Sequence, residues 1–392
     1  MKPHSLYLAL ALLLPILPVR AADEATLHAL VTQAQAKLQH SSAQQAPLYQ
    51  SSSWLLGLPS ISISHLQGLD SQRSFEQELN LNLALKSPAL HRLEAKLKPL
   101  DQQLTAQQQK LQQLYLSGLL RQYWWQQQLA QAELAQLQHR QQLLEQLVSH
   151  QQALHQSGEA SSSQLLMVQR ELLELQLSQL PLQQQLQTAT DALQRLTGVA
   201  ELPPLDESKR ALPQDDGSQN PLFQLTSLQL QRQKLLGQSR ADGVETPWTL
   251  SLNGKNTATI GMEEQAIGVA LDIPLSIGSG LSQAEVGSLV EQELLLAQQQ
   301  QQLLLQTKLT LAELRQQQLQ LQQQQQLLQQ SLTLNQQLTD ALAATKQQGF
   351  AQYQAWLRSY IDTLATESRL QLTQLQQAEL HSKQLQALGV SL

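Results

Sequence analysis

Cysteine is absent from all 392 residues, which excludes disulfides, thiolate metal sites and a lipid-bearing N-terminal cysteine. Aromatic residues make up only 4% of the chain, and together with few β-branched residues that is too little to fill one thick globular core. The formal net charge of -6 is mild and spread out, which gives no basis for a nucleic-acid interface. Beyond Ala22 no apolar run is long enough to span a bilayer, so no transmembrane helix is expected there.

The segment from Met1 to Ala22 reads as a signal peptide. Lys2 supplies the positive start, residues 6–17 are apolar, and Val19-Arg20-Ala21 offers a small-x-small cleavage site. Pro15 and Pro18 break the apolar stretch, leaving it shorter than a bilayer span.

What the chain has in excess is glutamine, roughly a fifth of the sequence, which raises the question of polar low-complexity disorder. Periodicity answers it. Between residues 88 and 155, Leu111, Leu114, Leu119, Leu129, Leu134, Leu137, Leu144 and Leu147 recur at mixed three-, four- and seven-residue steps, with Gln between them. Both residues favour helix, so propensity and pattern agree. One helix of this length extends roughly 100 Å, starting at Ser87-Pro88, a capping hydroxyl before a first-turn proline. A break at Gln156-Ser157-Gly158 forces an antiparallel return to about residue 196, with Pro181 expected to kink or divide it. Gly198 ends that helix, and residues 203–217 form a connector. A shorter helix from Pro221, a β region, a helix over 281–347, a break at Gly349 and a last helix to residue 388 follow.

Two stretches alternate with period two: Leu79-Asn80-Leu81-Asn82-Leu83-Ala84-Leu85-Lys86 and Val269-Ala270-Leu271-Asp272-Ile273-Pro274-Leu275-Ser276. Each follows a second alternating run, Ile61-Ser62-Ile63-Ser64 or Trp248-Thr249-Leu250-Ser251-Leu252. This is the pattern of strands with one apolar face. Residues 67–74 and 253–264 read as the loops between them. Leu79 matches Val269, Gly158 matches Gly349 and Gly198 matches Gly389, all at nearly the same offset and in the same order. The chain is therefore a tandem duplication. The first repeat covers 23–216, with strands 58–65 and 75–86 and a helical hairpin over 88–197. The second covers 217–392, with strands 246–254 and 264–276 and a hairpin over 281–388. The fold class is mainly α with membrane β-barrel strands.

A sheet crossing a bilayer must close on itself, and four strands are too few to do so alone. Membrane strands here imply an obligate oligomer. Alternation then directs Leu79, Leu81, Leu83, Leu85, Val269, Leu271 and Ile273 to lipid, and Glu78, Asn80, Asn82, Thr249, Ser251 and Asp272 to an aqueous lumen. Trp54 and Trp248 fall near strand ends, as interfacial aromatics do.

In its tandem repeat, its strand motif 269–275 and its two turn motifs, the chain resembles the TolC family of outer-membrane efflux proteins. The turn motifs read Gly158-Glu159-Ala160-Ser161-Ser162-Ser163-Gln164-Leu165-Leu166 and Gly349-Phe350-Ala351-Gln352-Tyr353-Gln354-Ala355-Trp356-Leu357. The resemblance implies a homotrimer in the Gram-negative outer membrane, with a twelve-stranded barrel in outer-membrane lipid and a periplasmic α-helical tunnel. It implies two protein partners, a periplasmic adaptor (membrane fusion protein) and an inner-membrane pump such as an RND transporter. The function implied is a passive exit duct of a tripartite efflux or type I secretion system, of the heavy-metal or cation type. His155, Gly158, Glu159, Gly349, Phe350, Tyr353 and Arg358 would then lie at the tunnel tip and adaptor contact. The first strand departs from the family in carrying Pro59, and the turns lack a clear acidic ring. A periplasmic adaptor or a structural coiled-coil protein of an export complex is the alternative, although adaptors usually carry one hairpin rather than two.

No enzyme chemistry is expected, and neither cofactor nor metal. His150 and His155 are five residues apart, which does not place two ligands on one helical face. Ser161-Ser162-Ser163 reads as a helix start, and Gly278-Ser279-Gly280 lacks the Lys-Ser/Thr of a phosphate loop. Trp124-Trp125 reads as helix packing.

Overall fold

The computed structural model describes residues 29–32, 34–36, 53–69, 74–158, 161–199, 203–205, 207, 210–214, 217–259, 261–275, 281–344 and 350–392. The signal segment, Glu159, Gly349 and Gly278-Ser279-Gly280 lie outside them. In chain order the elements are β1 (Ser60–Gln67), β2 (Phe75–Leu85), α1 (Pro88–Gln156), α2 (Ser162–Thr197), α3 (Pro221–Ala241), β3 (Trp248–Thr259), β4 (Met262–Asp272), α4 (Gln283–Ala343) and α5 (Phe350–Ala387). Residues 29–32 and 34–36 are also helical. The chain divides into two compact units. One holds Ser42–Leu111 and Asp215–Lys308, the other Met1–Ser41, Gln112–Gln214 and Leu309–Leu392.

In the first unit the four strands form one antiparallel sheet in the order β1-β2-β3-β4. Several strand boundaries differ from the sequence pattern, and proline accounts for two of them. Ser60 pairs with Asn82, yet Leu55 pairs with Leu85. Five residue steps on one side therefore face three on the other, a bulge that holds Pro59, whose missing N–H leaves no ladder bond unmade. At the far edge β4 ends at Asp272, so Ile273 stands just beyond the strand instead of within it. Pro274 cannot donate to the ladder, and Pro247, just before β3, falls at the same level. The β3–β4 connection is shorter than residues 253–264. Pairing continues to Thr259 and Met262, and the turn closes through Gly261, whose φ of 74° suits a tight hairpin.

Helix starts in this unit are capped. Ser87 Oγ accepts from the Leu90 N–H at 3.1 Å. At the start of α4, Ser282 Oγ accepts from the Glu285 N–H, and a Glu285 carboxylate oxygen accepts from the Ser282 N–H at 2.7 Å, a reciprocal capping box. α3 lies antiparallel to the start of α1, tied by Gln107–Gln224 and Arg232–Asp101 contacts of 2.7 and 2.9 Å.

The second unit is an array of antiparallel helices joined by glutamine and threonine contacts. Gln127–Thr190 and Gln179–Gln141 link α1 to α2. Gln354–Gln151 and a Gln386 bond to the Leu114 carbonyl link α5 to α1. Gln377–Gln325 and Gln384–Gln318 link α5 to α4. The helix order is thus α2–α1–α5–α4. α2 runs through Pro181 undivided, and α1 likewise through Pro99. An interior proline costs about 3 kcal/mol, and the run of buried α2 residues on both sides of Pro181, from Val168 to Leu193, holds the helix together.

Two apolar clusters fill this unit. One gathers Leu116, Leu120, Trp124, Trp125 and Leu193 with Val31, Ala34 and Leu205. The other gathers Leu144, Leu147, Val168, Leu175, Leu357 and Ile361. Beside the first lies a buried ion pair. Arg121 Nε and Nη2 donate to Glu207 at 3.1 and 2.6 Å, and Arg121 Nη1 donates to the Val390 carbonyl at 2.8 Å. This clasp joins α1, the connector and the tail after α5.

Candidate functional site

Residues directly opposite in a sheet share a face, so the register sorts every strand side chain. Leu81 faces Ile61 and Leu252, and Leu252 faces Val269. Leu83 faces Leu250, which faces Leu271. Leu79, Leu85 and Trp248 fall on this same face. The other face carries Ser60, Ser62 and Ser64 on β1, Glu76, Glu78, Asn80 and Asn82 on β2, Thr249, Ser251, Asn253 and Lys255 on β3, and Glu264 and Asp272 on β4. Its large apolar exceptions, Leu66 and Met262, sit near the turns. Cross-strand contacts follow the sorting. Ser251 Oγ donates to Asn82 Oδ1 at 2.7 Å, and Lys255 Nζ lies 2.6 Å from Glu76.

The apolar face is uncovered. Ile63, Ile267 and Val269 are 79%, 92% and 69% exposed, and exposed apolar surface spread over a sheet face marks an interaction site. β1 and β4 each pair on one side only, which leaves two open edges. The sheet therefore has one apolar face, one polar face and no closure.

The helical array repeats the lesson at its outer helices. On α4, Leu309, Leu319, Leu327, Leu334 and Leu338 are each more than half exposed. At 3.6 residues per turn they fall within an arc of roughly 100°. The buried Leu311, Leu314 and Thr339 lie on the opposite side of α4. On α2 the exposed Leu166, Leu173, Leu177 and Leu180 likewise oppose the buried Val168, Leu175 and Leu193. Among the described residues of α1 and α5 the one large apolar side chain left exposed is Tyr115. The outer helices carry two apolar stripes, and this chain covers one of each.

Gly158 has φ 80°, and Ser161 caps α2 in a box with Gln164. Tyr353 meets α1 at His150, with ring centroids 5.2 Å apart, and continues to Trp356 at 5.9 Å and Tyr360 at 5.6 Å beyond. His155 and Arg358 are exposed, and Phe350 begins α5. The sequence pattern missed Gln151, fully buried, which bridges Gln164 and Gln354. A glutamine inside a glutamine-rich helix carries no local mark of burial. Among the described residues no group of three His, Cys, Asp or Glu side chains converges as a metal site would, and no helix is long and apolar enough to cross a membrane.

A four-stranded antiparallel sheet with unlike faces and open edges, joined in one chain to two long helical hairpins, is the fold of the TolC-like outer-membrane channels. Three solved structures show the particular likeness. The outer membrane protein VceC from Vibrio cholerae aligns over 94% of this chain and 93% of its own, with TM-score 0.64 and 15% identity. CusC aligns over 95% and 89%, with TM-score 0.61 and 17% identity. The open state of the Neisseria gonorrhoeae MtrE outer membrane channel aligns over 93% and 86%, with TM-score 0.60 and 12% identity. By sequence, no family model and no curated protein matches, so the likeness is one of fold.

Proposed function

We propose that the chain is one subunit of an outer-membrane channel that gives exported molecules a passive way out. The observation that carries this is the sheet: an exposed apolar face, a polar face and two unpaired edges. A sheet of that kind crosses a membrane only when its edges close, and three copies supply twelve strands, within the range of known barrels. In this reading Leu79, Leu81, Leu83, Leu85, Val269 and Leu271 face lipid, with Ile273 at the margin. Asn80, Asn82, Thr249, Ser251 and Asp272 line the lumen. The uncovered stripes of α2 and α4 support the same arrangement, because neighbouring copies packed side by side bury both.

The channel fold of VceC, CusC and MtrE supports a role in transport rather than catalysis. It further supports a tripartite system in which a periplasmic adaptor meets the α1–α2 and α4–α5 ends and an inner-membrane pump supplies the energy. Tyr353 and Arg358, with His155 and Gly158, are the residues offered to that adaptor. The polar face carries Glu76, Glu78, Glu264 and Asp272 against Lys255, and a pore lined with excess carboxylate favours cations. This supports the cation-exporting variant of the system.

Reconstitution into planar bilayers tests the proposal. The detergent-extracted protein should insert and give discrete conductance steps with a reversal potential displaced toward the cation. A water-soluble, non-conducting protein would refute it and leave the structural coiled-coil reading.

A further inference from the structure

Resting on the reading of the sheet as a membrane wall, we infer that each protomer carries a lipid-docking groove at the turn end of its apolar face, shaped for a sugar-headed lipid. The apolar rows run from the Leu85–Trp248 level to the level of Ile63, Leu79, Gly254 and Ile267. That is six residue steps, about 20 Å along the strands. The next level up is polar on all four strands: His65 faces Gln77, Gln77 faces Asn256 and Asn256 faces Gln265. This row is polar across the whole sheet, and beyond it the face ends in the mixed level of Gln67, Phe75, Ala258 and Glu263.

A hollow of about 540 Å³ lies where the last apolar row meets this polar one. Its walls are these two rows, and its floor is the backbone of Ser64, Glu78, Lys255 and Ala266, whose side chains belong to the other face. Gly254 keeps it open, since a Cβ there would meet nothing within 4 Å. One wall is thus hydrocarbon and the other amide and imidazole. Asn256 lines the hollow, and its Oδ1 is buried without a hydrogen-bond partner.

The shape suits the junction between acyl chain and headgroup. The polar wall selects the head. Carboxamides donate and accept, which matches hydroxyl and amide groups. A phosphate calls for Arg or Lys, and no strand residue on this face is either one, Lys255 pointing the opposite way. The occupant is therefore an acylated saccharide rather than a phospholipid head.

The test uses the intact channel in vesicles of phosphatidylethanolamine and phosphatidylglycerol containing a minor fraction of diglucosyl diacylglycerol. Lipids retained after mild extraction are counted by native mass spectrometry, and conductance is recorded on the same preparation. The glycolipid should be enriched over its bulk fraction by roughly threefold to tenfold, the ratio that one net hydrogen bond supplies. Gly254→Leu, which fills the hollow, and the pair Gln77→Leu with Gln265→Leu should each return the ratio to that of the bulk while conductance persists. Retention at the bulk ratio, preference for phosphatidylglycerol, or enrichment unchanged in both variants would overturn the groove and leave the channel intact. Failure of the unaltered protein to insert would remove the channel reading, and the groove with it.

Discussion

In the sheet, polarity is sorted by face, whereas in the helical array it is sorted by position. The sheet offers Leu81 and Leu271 on one side, Asn80 and Asp272 on the other, and buries neither side within the chain. The array has a true interior around Leu144 and Leu193, which are 1% and 0% exposed, and leaves its second apolar stripes on α2 and α4 alone. One region thus contains its own solvent-excluded core, and the other borrows one. In the proposed channel the sheet has a lipid to face and a strand to pair with. The array needs only neighbours at its ends. Substitutions in the two regions should accordingly report on different events.

The largest effect is expected inside the array. Arg121→Ala removes the guanidinium that donates twice to buried Glu207 and leaves it only the longer Arg210 contact at 3.9 Å and the Ser382 hydroxyl, and removing one partner of such a pair costs about 3–5 kcal/mol. Thermal unfolding should show the loss in detergent and bilayer alike. If Arg121→Ala unfolds like the parent, the array lacks the self-contained interior assigned to it.

The sheet should respond to its surroundings. Leu81→Arg or Leu271→Arg should lose about 2–4 kcal/mol in a bilayer, with a much smaller loss in aqueous urea, where no lipid is present. Asn80→Arg should leave bilayer stability nearly unchanged and alter single-channel conductance. A reversal of these roles would exchange the faces.

Edge leucines should show a smaller loss than either. Leu327→Ala should weaken self-association by about 2 kcal/mol, near thirtyfold in the constant, with helix content by circular dichroism preserved. Sedimentation across a concentration series measures it. Loss of helix without loss of association would mean the stripe packs inside the protomer.

The smallest effect is a helix start. The Ser282 backbone N–H, then its hydroxyl, hold the Glu285 carboxyl below the ordinary carboxylate range. A carboxyl whose folded pKa is depressed stabilises above its unfolded pKa, and that contribution fades as pH falls through the folded value. The α4 start should therefore fray below about pH 4, the ordinary range of a glutamate, and Glu285→Gln should flatten this dependence. Hydrogen exchange at residues 283–288 is the readout.

Much of this architecture was legible in the sequence for a physical reason. Period-two alternation in 79–85 and 269–275 survives because each strand has one apolar face, and the Leu/Gln stripes survive because helices pack along one side. The β3–β4 turn was obscured because polar residues occupy both faces beyond Asn253, so the alternation fades while the ladder continues. Pro181 does not divide α2, because local propensity gives way when buried residues hold the helix on either side. The Arg121–Glu207 clasp was out of reach, as its residues are 86 positions apart and neither carries a local pattern. The two-stripe character of α2 and α4 is present in their leucine spacing, but only the fold shows which stripe is covered.

The central claim is that one copy of this chain is incomplete and that its sheet and outer helices close through other copies. The mass of the detergent-extracted assembly by native mass spectrometry tests this most directly. Three copies, giving a twelve-stranded wall, is the predicted result. A monodisperse monomer that keeps its strand content would contradict it.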